Sequence, residues 1–181
     1  MELEGTRWLR SDSGATWLDL VASLGSAYGP APEERLTDTG LLRDWLASEN
    51  LQPEAAPTGA DLAHARVLRE ALRGLALAAV RSEPWPDKDI AFVNEILAED
   101  RPLVLESGRL QRPRTTREAL TRITRQAVED LTGPAAANLH QCGDSVCGLL
   151  FLDPSGRRKW CVAEICGVRN RVRAHRRRNS A

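Results

Sequence analysis

Apolar residues recur at three- and four-residue intervals along the first three quarters of the chain. Residues that start or stop helices bound each such stretch. Trp17, Leu18, Leu20, Val21 and Leu24 predict a helix over 16–27, with Thr16 placed to cap it. Gly29-Pro30-Ala31-Pro32 breaks the pattern. Leu41, Leu42, Trp45 and Leu46 form one stripe of a second helix over 36–47, with Thr37, Asp38 or Thr39 as its cap. A proline-containing loop follows over 50–57. The longest periodic stretch is 58–81, where Leu62, Ala65, Leu68, Leu72, Leu75 and Ala79 share one face. Thr58 and Asp61 have the spacing of a capping box, with Asp in place of Glu. Pro84-Trp85-Pro86 ends that helix, and Asp87 can cap the next, which turns Ile90, Val93 and Leu97 inward. The period then changes. Residues 102–106 and 109–111 flank Ser107-Gly108 as a short hairpin. A helix over 116–131 buries Leu120, Ile123, Ala127 and Leu131 and stops at Gly133-Pro134.

Beyond that point the pattern predicts a different module. Residues 149–153 read as a strand, Pro154-Ser155-Gly156 as a turn and 157–160 as the return strand. Residues 162–177 read as a helix. The expected fold is mainly α, of the α+β type. A helical domain with one short hairpin occupies 1–133, and a small hairpin-plus-helix module occupies 134–181.

All four cysteines of the chain lie in this second module, as Cys142-x4-Cys147 and Cys161-x4-Cys166 with thirteen residues between the pairs. Two close pairs joined by a short connection can surround one ion, and zinc takes four thiolates at tetrahedral corners with Zn–S near ~2.3 Å. Thiolates alone also suit iron. Two disulfides are the competing chemistry. They need an oxidising compartment, and the Met1-Glu2-Leu3-Glu4 start has no secretory pattern. A zinc held by four cysteines keeps no position for water, so such a metal is structural. So short a module has too little core to fold unaided, and one zinc per chain supplies the remedy. His140 and His175 flank the cysteines as spare ligands, which a complete four-thiol set does not require.

The balance of 25 basic and 25 acidic residues hides a division. From His140 onward there are nine Lys or Arg against three acids; before it, sixteen against twenty-two. Arg157, Arg158, Lys159, Arg169, Arg171, Arg173, Arg176 and Arg177 are the candidate nucleic-acid contacts. At about 100° per residue, Arg169, Arg173, Arg176 and Arg177 share one helical face, and Val168, Val172 and His175 share another. The expected partner is double-stranded DNA rather than RNA, because Phe151 and Trp160 read as hairpin core rather than stacking platforms. No apolar run is long enough to span a bilayer. No phosphate loop, nucleophile elbow or His-x-x-x-His pair points to catalysis, so a cytoplasmic, non-enzymatic protein is expected. The five tryptophans read as core anchors, with Trp8 and Trp85 as the ones available to line a ligand pocket.

The stretch 142–178 resembles the CGNR zinc finger. Cys142-x4-Cys147-Gly148, Leu150-Phe151-Leu152-Asp153, Arg158-Lys159-Trp160-Cys161, Cys166-Gly167 and Val172-Arg173-Ala174-His175-Arg176 carry the resemblance. The tetrapeptide that names that family is Cys-Gly-Asn-Arg, and this chain has Cys166-Gly167-Val168-Arg169. Trp17 to Val21, Glu34-Arg35-Leu36 with 41–46, and Leu68 to Arg73 resemble the ABATE domain, which precedes this finger in bacterial stress-induced transcription regulators. The resemblance implies zinc and DNA binding. It leaves the operator, the effector and the sign of regulation open. Two function classes are carried forward. One is a transcription regulator whose finger binds DNA, with a homodimer as the expected way for a small finger to specify a long site. The other is an interaction protein whose finger docks a partner or its own acidic front domain.

Overall fold

A computed structural model describes residues 12–179. Six helices and three two-stranded antiparallel ladders occur among them. Helix α1 spans Thr16–Val21, α2 Thr39–Ser48, α3 Gly59–Arg81, α4 Asp87–Leu97, α5 Thr116–Thr132 and α6 Val168–Asn179. Trp8 lies outside the described residues.

Helix α3 is the centre around which α1, α2, α4 and α5 pack. Its first turn is held by the capping box: Thr58 accepts from the Asp61 amide, and the Asp61 carboxylate accepts from the Thr58 amide. Leu62, Ala65, Leu68, Leu72 and Leu75 are buried, as the periodicity requires, and Ala71, Ala76 and Ala78 widen the buried surface. Small residues let neighbouring helices approach on more than one side. Trp17 and Trp45 fill the core, and Trp85 packs against it half-buried. Asp38 caps α2, with its side chain accepting from the Leu41 amide. Pro86 takes the N-cap position of α4, so Asp87 is that helix's first residue rather than its cap. The hairpin β3 (Leu105–Glu106) and β4 (Arg109–Leu110) turns through Ser107 and Gly108, both at positive φ, and stands exposed.

Several elements differ from the sequence expectation: Thr16 is the first residue of α1 and not its cap, and the helix expected over 162–177 begins at Val168, after a π-helical turn. Helix α1 stops at Val21 instead of continuing to Ala27. Leu24–Gly25 (β1) instead pairs with Glu33–Glu34 (β2), and Ala22 turns toward the cysteine module. At the exit Arg73 of α3 donates to the Val21 carbonyl at 2.8 Å, an acceptor that the next helical turn would otherwise use. Residues 157–160 form no strand. Their backbone is taken by the Asp153 carboxylate, which accepts from the Ser155 hydroxyl and from the Arg158 amide. The hairpin of the module is instead β5 (Leu139–Gln141) with β6 (Leu150–Leu152), in the register Leu139↔Leu152, His140↔Phe151 and Gln141↔Leu150.

This hairpin belongs to both modules. One face gives Leu139 and Leu150 to the helical core, while Phe151 and Leu149 join the four cysteines and Ala22 in a second cluster. Alternation along a strand makes this division possible. Backbone bonds tie the same region to the front of the chain: Ala27 N–H to Cys147 O, Tyr28 N–H to Val146 O, and Leu152 N–H to Ser13 O.

Candidate metal centre

Strand β5 runs directly into Cys142, and the Cys142 amide donates to Leu149 O at 2.8 Å, closing a loop that contains the first cysteine pair. Within that loop the Cys147 amide donates to Asp144 O at 2.9 Å. Gly148 then turns the chain at φ +68°, where a Cβ would come within 2.9 Å of the Tyr28 ring. A side chain at this position would be strained by both backbone and space. The second pair arrives along 157–161, anchored where the Gly143 amide donates to Lys159 O at 3.0 Å. Cys166 sits in a π-helical turn, Ala163–Gly167, that leads into α6.

These elements bring Cys142, Cys147, Cys161 and Cys166 together, with all four sulfurs within 4.8 Å of one another and all four buried. Cys161 Sγ lies 3.6 Å from Cys147 Sγ and 3.6 Å from Cys166 Sγ. A zinc–sulfur bond of ~2.3 Å makes the edge of a tetrahedron about 3.8 Å, whereas a disulfide needs about 2.05 Å. The quartet therefore has the dimensions of a metal site and not of two disulfides. The Cys161 amide approaches Cys142 Sγ at 3.5 Å, the backbone-to-sulfur contact that fixes a thiolate ligand. His140 stacks on Phe151 and His175 bonds Asn179, so both are engaged apart from the sulfurs.

The thiols are not equivalent. Hydrogen bonds from the Cys147 and Cys161 thiols, helped by backbone amides, pull the Cys142 pKa down to about 2. Cys147 is pushed up, chiefly because it donates to Cys142. Burial raises Cys166 to about 12. Without a cation the quartet keeps protons on Cys147 and Cys166, and a divalent metal is what allows all four sulfurs to ionise at so short a spacing.

The residues match known family models. Residues 14–134 match ABATE, described as "Putative stress-induced transcription regulator", and residues 138–179 match the CGNR zinc finger. The chain belongs to the ABATE family and ends in a CGNR zinc finger. No curated protein matches it. In an ABATE–CGNR protein the four cysteines hold one structural zinc, which supplies charge and cross-linking but no open coordination position.

The predicted basic residues separate into two groups. Arg169 and Arg173 face inward, and their guanidiniums bond the two oxygens of Asp144, at 2.9 Å for Arg169. Asp144 is only 1% exposed. Burial alone would raise its pKa, but Arg173, the Val146 amide and Arg169 outweigh this and hold it below the usual carboxylate range. Arg158 lies over the Phe151 ring, 4.5 Å from its centroid, and donates to Cys161 O. Lys159 lies over Trp160 at 5.1 Å. Arg157, Arg171, Arg176, Arg177 and Arg178 are exposed. So are Ile165 (55%), Val168 (41%) and Val172 (44%), which makes the valine face, rather than the Arg169–Arg173 face, the outer one. Val168 occupies the position of the family Asn, and Asn170 donates to Cys166 O at 3.0 Å beside it.

Asp144, Arg69 and Arg73 escaped the sequence reading. Arg69 and Arg73 lie on α3 among apolar residues, and both are buried. Arg69 holds Glu34 through two bonds of 2.7 Å, and Arg73 reaches Val21 O and, at 3.5 Å, Gly148 O in the zinc loop. Helical spacing alone places both near the buried stripe, but only the fold supplies their carbonyl and carboxylate partners.

Proposed function

We propose that this protein is a zinc-dependent DNA-binding transcription regulator that reads DNA with the outer face of α6. The observation that carries the reading is the state of that helix. It holds six arginines and no acid, and none of its residues is buried. Its inner side is anchored by Arg169 and Arg173. What remains outward is Val168, Val172 and His175 at the centre of a helical face, with arginines beside them. This is the composition of a groove-entering helix: arginines reach phosphates and guanine edges, and small apolar groups meet thymine methyls. Arg157, Arg158 and Lys159, on the turn before Cys161, lie beside a cavity of about 580 Å³ with Trp160 and form a second basic edge.

The exposure of α6 also weighs against the alternative in which the basic helix docks on its own acidic front domain. The finger does pack on that domain, but through Ala22, Gly148 and β6, which leaves α6 uncovered. In this reading the protein is cytoplasmic and catalyses no reaction, and two copies together read a longer site.

The test is a variant that spares the inner anchor. Arg171 and Arg178, which flank the valine face, changed together to Ala should keep one zinc per chain and lower affinity for duplex DNA at least tenfold at fixed salt. Unchanged affinity with full zinc would remove α6 as the reader.

A further inference from the structure

Asp144 serves the metal centre and the helix at once. Its main chain belongs to the zinc loop: its carbonyl accepts from the Cys147 amide at 2.9 Å, and its amide bonds the Cys142 sulfur. Its side chain belongs to α6, where Arg169 and Arg173 stand one helical turn apart and take one carboxylate oxygen each. The Val146 amide adds a third bond at 3.4 Å. A buried carboxylate stripped of its cations is strongly disfavoured. The loop therefore cannot change shape while keeping Asp144 buried unless α6 moves with it.

We propose that Asp144 is a positioning residue that couples zinc occupancy to the orientation of α6, so that zinc binding and DNA binding strengthen each other. This rests on the DNA reading of the same helix. Zinc fixes Cys142 and Cys147 and thereby the loop. The loop fixes the carboxylate, and the carboxylate turns Arg169 and Arg173 inward and Val168, Val172 and Arg171 outward. Coupling of this kind is reciprocal. DNA should slow the loss of zinc to a chelator by the same sense of effect through which zinc improves DNA binding. The carboxylate charge is the element that matters, since an amide keeps the shape but cannot hold two guanidiniums.

The experiment uses the full zinc-loaded chain. Amide hydrogen exchange of residues 168–179 is measured without DNA, together with zinc content, duplex affinity and the rate of zinc transfer to a chelator with and without duplex. Asp144→Asn should keep one zinc per chain, lose at least tenfold in protection across α6, weaken DNA binding at least tenfold, and abolish the protection of zinc by DNA. Arg169→Met with Arg173→Met cuts the same link from the helix side and changes no residue of the zinc loop, so it decides the matter if the Asn variant loses metal. Wild-type protection of α6 in a zinc-loaded Asp144→Asn chain, or in the double Met variant, would overturn the proposal. If the variants lose protection as expected but the wild type binds no duplex at low salt, the DNA reading fails and the positioning role stands. If both chains bind duplex equally, the positioning role fails and the DNA reading stands.

Discussion

Cys161 is the most connected ligand, with sulfurs of Cys147 and Cys166 both at 3.6 Å. Changing it to Ser removes one zinc bond and leaves a buried hydroxyl among three thiols. The consequence follows from what else holds the module. Its cluster contains seven buried residues, of which four are the ligands and one, Ala22, comes from the front domain. Leu149 and Phe151 remain as the fully buried apolar core of the finger's own, contributing roughly 2–3 kcal/mol each, with Trp160 packed partly buried against them. A structural zinc contributes on the order of 10–16 kcal/mol. The metal term is thus two to three times the packing term, and residues 153–179 should lose order when it goes. The loss should stop at β5 and β6, because Leu139 and Leu150 are held in the helical core. Hydrogen exchange should therefore show Cys161→Ser unprotected over 153–179, with α3 and the β5–β6 pairing still protected, and metal analysis should find no zinc. Full zinc content with unchanged protection would refute the reasoning, and loss of α3 protection would show that the two modules fold only together.

Acid should release the zinc. The cation-free quartet keeps protons on Cys147 and Cys166, so at least those two must leave when metal binds, and zinc affinity should fall by about 100-fold or more for each unit of pH lost; competition with a chelator at two pH values measures this, and a tenfold or smaller change would contradict the ligand set. Asp19 gives a second pH dependence. Burial pushes its pKa up to about 6 from 3.8, so the folded state holds the proton more tightly than the unfolded one, and stability falls as pH rises from about 4 to 6. Asp19→Asn keeps an acceptor for the Ser13 amide and removes the charge. It should gain up to about 3 kcal/mol at pH 7.5 and almost nothing near pH 4 in urea melts, whereas a loss at pH 7.5 would show that the carboxylate is needed charged.

Much of this protein is legible from local chemistry. The capping box of Thr58 and Asp61, the Asp38 cap of α2, the Ser107-Gly108 turn and the stripe of α3 are set by neighbours three or four residues away, and all occur where the pattern places them. The four-cysteine site was legible because its spacing carries the ligand geometry. The errors arise where a distant group replaces a local one. Leu24 continues the apolar period of α1, yet Arg73, more than fifty residues on, bonds the Val21 carbonyl and the chain leaves the helix there. Residues 149–160 alternate like a hairpin, but the upstream segment 139–141 offers the better partner, because its Leu139 adds to the helical core. A helical wheel groups Arg169 with Arg173 correctly, but it cannot say which way that face turns. That direction was decided by Asp144, a lone acid between two cysteines.

The central claim is that zinc builds a DNA-reading helix, and a duplex titration of the wild-type chain at two salt concentrations, zinc-loaded and chelator-treated, tests it most directly. With about four exposed arginines meeting phosphates, the logarithm of affinity should fall by roughly 3–4 for each tenfold rise in salt, and chelation should abolish binding. Salt-independent binding, or binding that survives loss of zinc, would contradict the account.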